Sequence, residues 1–159
     1  KLIAELKPDQ VTLVPDPPEV LTSNTGWDTV KNKDFLSEII KELRLSGTRI
    51  SVFCNPEIPM VEGAAQIDAD RIELYTGPYA DAFVQNPVQA LRSFVEAADV
   101  ARKVGLGVNA GHDLDLQNLK YLKKGIPYLA EVSIGHALFC DALYYGIENT
   151  IQMYKRQLQ

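Results

Sequence analysis

Short apolar runs alternate with longer amphipathic segments along this chain of 159 residues. Five of the runs are rich in Val, Ile or Leu and have the length of strands that are covered on both faces. The predicted strands span residues 11–14, 49–53, 71–74, 106–109 and 131–134. Because helical segments lie between them, we expect parallel strands joined by right-handed crossovers.

The segments between the strands carry apolar residues at helical spacing. Helices are predicted over residues 1–7, 59–67 and 116–124, from near Asp34, and from Pro87 to about Val104. A single further helix is predicted from about Ala137 to the end of the chain, and residues 75–81 are predicted to form a turn. The apolar face near Asp34 consists of Phe35, Ile39, Ile40 and Leu43. The stripe on the helix that begins at Pro87 consists of Val88, Leu91, Val95 and Ala98.

Two α/β architectures fit this alternation. One is an open doubly wound sheet, complete in itself, and the other is part of a (β/α)8 TIM barrel, which needs roughly 250 residues when intact. The chain opens on Lys1 without an initiator Met, in a segment that resembles the end of a helix before Pro8. This opening and the polar residues at several strand ends favour the barrel, whose chemistry lies at the carboxyl ends of its strands. We therefore expect residues 1–159 to form a single domain, the C-terminal part of a TIM barrel whose N-terminal strands are absent from this chain.

Composition and charge argue against several classes of protein. The apolar content of 46% is ordinary for a globular chain, and the net charge of −5 comes without a basic stripe, which argues against a nucleic-acid partner. There is no run of about 18 apolar residues, so no membrane span is expected. Cys54 and Cys140 lack CxxC spacing and no signal peptide is visible. We therefore expect two reduced thiols in a cytoplasmic protein.

A Gly beside a His follows each of the last two strands, in Val108-Asn109-Ala110-Gly111-His112 and in Ile134-Gly135-His136-Ala137. A small-residue turn lets backbone N–H groups approach a ligand, and a helix that begins there adds the positive end of its dipole, which suits a phosphate. His112 is a candidate general acid or base, and Gly135 and His136 are candidates for phosphate binding. The alternative for His112 is a turn histidine that hydrogen-bonds the backbone.

Glu73 is an acid in the middle of an apolar strand. Such a group is rarely tolerated without a function or a partner. Near the end of a barrel strand it would stabilise a cationic intermediate or orient a histidine; the alternative is an ion pair with a Lys or Arg, or a structural network. A long polar loop at residues 15–28 is expected to be functional. Its Thr22 supplies a hydroxyl, although surface threonines are common. Phosphate-loop fingerprints, metal-ligand spacings and the nucleophile elbow of hydrolases are absent from the sequence.

Four segments taken together resemble the bacterial pyridoxine 5′-phosphate synthases. They are Leu13-Val14-Pro15, Glu73-Leu74-Tyr75-Thr76-Gly77-Pro78-Tyr79-Ala80-Asp81, Val108-Asn109-Ala110-Gly111-His112 and Ile134-Gly135-His136-Ala137. The patterns E-x-x-T-G-x-Y-A-D, V-N-A-G-H and I-G-H-A are specific in combination at these separations. The match runs in order through the whole chain and covers roughly the last two thirds of the family's sequence.

The resemblance implies a (β/α)8 barrel with additional helices, of which this chain would hold strands four to eight. It implies an enzyme that condenses 1-deoxy-D-xylulose 5-phosphate with 3-amino-2-oxopropyl phosphate. Schiff-base chemistry, proton transfers and loss of water and of one phosphate would close the pyridine ring of pyridoxine 5′-phosphate, without a metal or organic cofactor. It also implies dimers that build to a homo-octamer.

The resemblance further implies roles for individual residues. By position, His112 matches the proton donor and Glu73 the carboxylate that stabilises the transition state. Thr22 matches a contact to the pentulose phosphate, and Gly135 and His136 match the site that binds the aminoketone phosphate.

Asp113 stands where the family usually has a Gly that contacts substrate. A backbone contact survives this change, but a carboxylate near a phosphate is unfavourable unless it points away or caps the following helix. The family's other catalytic residues belong to the first three strands. This segment alone is therefore expected to be inactive and not to fold stably.

Two other functions stay open at this point. Another phosphate-binding barrel enzyme, such as a sugar-phosphate aldolase or epimerase, would need a Schiff-base Lys or metal ligands at strand ends, and neither stands out. A flavodoxin-like regulatory domain would form an open sheet, with Glu73 paired to a basic side chain.

Overall fold

The strands of the sheet follow one another in sequence order. The structure, a computed structural model, describes residues 2–159. Its strands are β1 (Gln10–Leu13), β2 (Arg49–Cys54), β3 (Arg71–Tyr75), β4 (Gly107–Gly111) and β5 (Glu131–Ser133). Every pairing is parallel and the order is β1-β2-β3-β4-β5. A doubly wound sheet reverses its order at a switch point, whereas this sheet does not. The order therefore contradicts the flavodoxin-like alternative.

Eight helices are described in this part of the chain. They are α1 (Leu2–Leu6), α2 (Lys33–Arg44), α3 (Ile58–Gln66), α4 (Gly77–Phe83), α5 (Pro87–Lys103), α6 (Leu119–Gly125), α7 (His136–Tyr145) and α8 (Ile147–Gln157). None of the helices between residues 2 and 159 is long and apolar enough to cross a membrane.

The sheet is curled, with polar side chains on its concave face. Near the amino ends of the strands, Arg49 of β2 donates to Glu131 of β5, with Nη2 2.6 Å from Oε1. Asn109 of β4 also donates to Glu131, at 3.1 Å. Because strand side chains stand roughly perpendicular to their sheet, a contact between strands that are not neighbours requires the sheet to curl toward that face. The five strands thus form a parallel half-barrel.

The convex face carries the apolar core. Ile72, Leu74 and Val108 lie in a large buried cluster with residues of α5, and Ala110 belongs to the same cluster. A smaller cluster lies beneath α2, where Leu36, Ile40, Ile50, Val52 and Ile67 are buried together. The core therefore fixes the outer side of each strand, and the alternate residues are left to face the concavity.

Two predictions about helix boundaries are wrong. Residues predicted as a turn form α4, because Pro78 sits in the first turn of that helix, where its missing N–H would have no partner. The single predicted final helix is two helices, since Gly146 at φ 77° ends α7. Glycine adopts this left-handed conformation without the steric cost that other residues pay.

Two predicted helix faces are also displaced. On α5, Ala98 of the predicted stripe is buried and Leu91 and Val95 pack partly buried against the core. Val88 is 72% exposed, however, and the fully buried side consists of Ala90, Phe94, Ala97, Ala98 and Ala101. The small alanines allow close packing, whereas the predicted stripe favoured larger side chains. On α2, Phe35 is 54% exposed and the buried face centres on Leu36 and Ile40.

Candidate functional site

A cavity of about 560 Å³ opens at the carboxyl ends of the strands. All six residues that the sequence singles out line it: Thr22, Glu73, His112, Asp113, Gly135 and His136. They come from the loop after β1, from β3, from the turn after β4 and from the start of α7. The remaining lining residues are Thr12, Val14, Ser23, Phe53, Ser133 and Ile134. The curl of the sheet therefore brings together side chains that lie far apart in the sequence.

Glu73 lies on the concave face of β3 and is 7% exposed. Its Oε2 accepts a hydrogen bond from Thr12 of β1 at 3.2 Å, and Ser133 of β5 also hydrogen-bonds the carboxylate. Burial raises the pKa of Glu73, the two hydroxyls lower it, and the charge of Glu131 raises it further. Within the described residues, Glu73 takes part in no ion pair. The ion pair considered as one alternative is therefore not found in this part of the chain, whereas the hydrogen bonds from Thr12 and Ser133 fit the network considered as the other.

Gly111 gives the carboxylate of Glu73 its space. A Cβ at this position would overlap Oε1 of Glu73 and would come within 3.1 Å of the Ser133 Cβ. The glycine of the Gly-His turn thus serves close packing against the acid of the neighbouring strand.

His112 follows β4 directly and is held at both ring nitrogens. Nε2 lies 2.7 Å from Oγ1 of Thr22, and Nδ1 lies 2.8 Å from Oδ2 of Asp113. Tyr75 packs edge-on against the imidazole with ring centroids 5.2 Å apart. The side chain of His112 is 18% exposed. These contacts fix the ring at the cavity wall, so the backbone-bonded alternative for this histidine does not describe its side chain.

The turn that carries His112 has an unusual backbone. His112 and Asp113 have φ angles of 87° and 57°, in the left-handed region that disfavours ordinary side chains. Thr76 holds the turn: its hydroxyl donates to the carbonyl of Gly111 at 2.7 Å and to the carbonyl of His112. Asn118 donates to the carbonyl of Asp113 at 3.1 Å. The strained segment is therefore fixed at three successive carbonyls.

The amino end of α7 forms another part of the cavity wall. Gly135 is the N-cap, and His136 is the first residue of this ten-residue helix. The first N–H groups of a helix have no intrahelical partner, and the dipole adds positive potential there. Gly135 and His136 are both exposed, so these donors are accessible to an anion.

The loop after β1 reaches over the same mouth. Trp27 donates its backbone N–H to the carbonyl of Phe53 at 2.8 Å, which ties the loop to the end of β2. Ser23 donates to the carboxylate of Asp16 within the loop. Thr22 is exposed apart from its contact with His112.

Several residues of the site were not found from the sequence. Thr12 and Ser133 bond Glu73, and Thr76 holds the turn. Thr12 and Ser133 are polar residues within apolar strands, which was the only sequence signal for them. That signal is weak, because hydroxyl-bearing residues are common in strands. No group of three or more metal-ligating side chains occurs among residues 2–159.

Comparison with known proteins gives a consistent result. The model of the family described as "Pyridoxal phosphate biosynthesis protein PdxJ" matches residues 1–159. The chain is 60% identical over 158 residues to a pyridoxine 5′-phosphate synthase of Cytophaga hutchinsonii, which covers 99% of this chain and 66% of that protein. It is 57% identical to that of Bacteroides fragilis and 51% identical to that of Christiangramia forsetii, in each case over 99% of this chain and 67% of the relative. The chain thus spans about two thirds of the length of the curated relatives it matches.

Proposed function

Because the chain belongs to the PdxJ family of pyridoxal phosphate biosynthesis proteins, we propose that the protein acts as a pyridoxine 5′-phosphate synthase. The reaction proposed is the condensation of 1-deoxy-D-xylulose 5-phosphate with 3-amino-2-oxopropyl phosphate to give pyridoxine 5′-phosphate, phosphate and water. The observation that carries the proposal is the single cavity where an imidazole, a buried carboxylate and the amino end of a helix meet.

His112 is the proposed proton donor. Its Nε2 faces Thr22 at the cavity mouth, within hydrogen-bond reach of a group placed there. Glu73 is the proposed stabiliser of positive charge that develops as a Schiff base forms and rearranges. Its carboxylate has no cationic partner among the described residues, so its charge would act on the substrate in a site of low polarity.

The phosphate groups are proposed to bind at two places. The N–H groups of Gly135 and His136 would hold the phosphate of the aminoketone, because helix amino ends bind anions. The hydroxyl of Thr22 would contact the phosphate of the pentulose. Asp113 would contact substrate only through its backbone, because its carboxylate is bonded to His112.

The five strands are proposed to be strands four to eight of a closed (β/α)8 barrel, and residues 1–159 to be the C-terminal part of that single domain. The curled, sequentially ordered parallel sheet supports this arrangement. Strands β1 and β5 each pair on one side only among the described residues, and such edges are normally covered or closed. We further propose a cytoplasmic enzyme that assembles as dimers building to an octamer, which light scattering on the full-length protein would measure.

The proposed function is tested with the full-length protein and both phosphorylated substrates. Product and free phosphate are followed together by phosphorus NMR. His112→Ala and Glu73→Gln should each lower kcat by about 10²–10⁴-fold, the range for general acid–base groups. Glu96→Gln, which changes an exposed carboxylate paired to Arg92 on α5, is the matched control and should turn over normally. Failure of the wild-type protein to form product, or unchanged turnover in both site variants, would contradict the proposal.

A further inference from the structure

The imidazole of His112 has partners of two different kinds. On one side the carboxylate of Asp113 contacts Nδ1, and on the other the hydroxyl of Thr22 contacts Nε2. A carboxylate can only accept a hydrogen bond, whereas a hydroxyl can donate or accept. Nδ1 must therefore carry the hydrogen. In the neutral ring Nε2 is then the acceptor, and the hydroxyl of Thr22 donates to it.

Among residues 2–159, the carboxylate of Asp113 has no hydrogen-bond partner other than His112. The segment before α6 is capped by Asp115, whose Oδ1 accepts from the backbone N–H groups of Gln117 and Asn118 at 2.8 and 2.9 Å. Asn118 in turn accepts from the N–H of Asp115 at 3.0 Å. Asp115 and Asn118 thus organise the turn before α6, and the carboxylate of Asp113 does not take the role of helix cap that the sequence left open for it.

The backbone of the turn is what allows the contact. In an extended strand, the side chains of consecutive residues point to opposite faces. Here His112 and Asp113 both have positive φ, and their side chains meet at 2.8 Å. Two consecutive left-handed residues are costly unless the surroundings over-determine them, and such strain concentrates at functional sites.

From this geometry we propose that Asp113 is a positioning residue, which holds His112 with its hydrogen on Nδ1 and directs Nε2 at the substrate. The proposal deepens the proposed function and rests on it for the reaction concerned. A carboxylate on the second nitrogen fixes both the tautomer and the orientation of a functional imidazole. Nε2 is then the atom that takes up a proton, and the imidazolium so formed donates that proton from Nε2 to the substrate and returns to the neutral ring.

The other ionisable groups around His112 do not replace Asp113. Glu73 lines the same cavity but is bonded by Thr12 and Ser133. His136 lines the cavity at the start of α7, and Tyr75 packs against the imidazole in a T-shaped arrangement. Among the described residues, only Asp113 brings a carboxylate oxygen to a nitrogen of His112.

The test uses the full-length protein with ¹⁵N-labelled histidine. NMR reports which nitrogen of a neutral imidazole carries the hydrogen, and the signal of His112 is assigned by its loss in His112→Gln. Two variants are compared, Asp113→Asn and Asp113→Gly. Asn and Gly both tolerate a left-handed backbone, so neither substitution should disturb the fold of the turn.

A matched control is available at Asp68, which has the same left-handed backbone at φ 65° and an exposed side chain paired to Arg44. Asp68→Asn makes the same chemical change in the same conformation, and Asp68 does not line the cavity. It should leave both the histidine signals and kcat unchanged.

The wild-type protein should show the hydrogen of His112 on Nδ1. Asp113→Asn should move it to Nε2, because the amide can donate to Nδ1, and kcat should fall about 10–100-fold, the usual effect of losing such a partner, with little change in KM. Asp113→Gly should lose less than Asp113→Asn, since it removes the acceptor without adding a donor.

A hydrogen on Nε2 in the wild type, or a tautomer change with no loss of kcat, would overturn the proposal. A purely structural role for Asp113 would leave the tautomer in place and lower stability instead, which also overturns it. If the wild-type protein makes no pyridoxine 5′-phosphate, the proposed function fails, while the NMR measurement still decides whether Asp113 fixes the tautomer.

Discussion

Replacing Thr76 by Val removes one hydroxyl from beneath the turn that carries His112. Thr76 is fully buried, and its Oγ1 is 2.7 Å from the carbonyl oxygen of Gly111 and also contacts that of His112. The two side chains have nearly the same shape, so the substitution opens no cavity. What changes is the hydrogen bonding of two carbonyl groups that flank the strained residues.

The size of the effect depends on which hydrogen bonds each carbonyl group retains. The carbonyl of Gly111 still accepts from the backbone N–H of Thr76 at 2.9 Å, whereas the carbonyl of His112 loses the hydroxyl. The carbonyl of His112 is half-buried, and leaving a polar group without its partner costs about 1–3 kcal/mol when the group is fully buried, so the upper end of this range is a limit here. The left-handed residues also lose one of the contacts that hold them. A displacement of a functional group by about 1 Å lowers turnover about 10²-fold.

We expect Thr76→Val to lower the free energy of unfolding of the full-length protein by about 1–3 kcal/mol in urea titration. It should also lower kcat by about 10–100-fold at nearly constant KM. Thr150→Val is the matched control: Thr150 is equally buried on α8, and its hydroxyl donates to the carbonyl of Gly146 at 2.9 Å. That carbonyl also accepts the N–H of Thr150, so the control should lose at most about 1 kcal/mol and no activity. A Thr76→Val protein that is less stable but fully active would refute the claim that this hydroxyl positions the imidazole.

Three further substitutions test separate parts of the account. Glu73→Gln, which should lower kcat by about 10²–10⁴-fold, should also raise Tm at pH 7, because burial raises the pKa of the Glu73 carboxyl and its ionisation opposes folding. This gain in Tm should vanish as the pH falls below about 4.3, the ordinary pKa of glutamate, because the folded and unfolded chains then both hold the proton. A variant that is less stable than the wild type at pH 7 would contradict this prediction. Gly111→Ala places a Cβ against the Glu73 carboxylate. The carboxylate should be displaced, so kcat should drop more than about 10-fold. Normal turnover would show that Glu73 can move without loss of activity. Gly146→Ala places a side chain on a residue with φ 77° between α7 and α8. This should lower the free energy of unfolding by about 1–2 kcal/mol, measured by heat or urea, and leave kcat unchanged. A change in kcat would mean that the break between these helices affects the cavity.

The strands and the principal polar groups of the site could be predicted from the sequence. Each predicted strand agrees with the structure to within two residues at either end, because buried parallel strands appear as short apolar runs bounded by turns. Glu73 stood out since an acid within such a run is rarely idle. His112 and His136 were predicted to lie at the same edge of the sheet, because parallel strands end on the same side.

The contacts between these groups could not be predicted in the same way. The sequence places Asp113 next to His112, but only the left-handed turn brings the two side chains together. That turn depends on Thr76, which lies 36 residues earlier in the chain than His112. Long-range hydrogen bonds of this kind leave no periodic pattern in the sequence. The packing face of α5 was predicted only in part, because alanines pack closely but contribute little to an apolar stripe.

The most direct test of the central claim is a crystal structure of the full-length protein with pyridoxine 5′-phosphate bound. We predict that the phosphate lies against the N–H groups of Gly135 and His136, with the pyridine ring between the carboxylate of Glu73 and Nε2 of His112. Product bound at the opposite end of the strands, or out of reach of both His112 and Glu73, would contradict it.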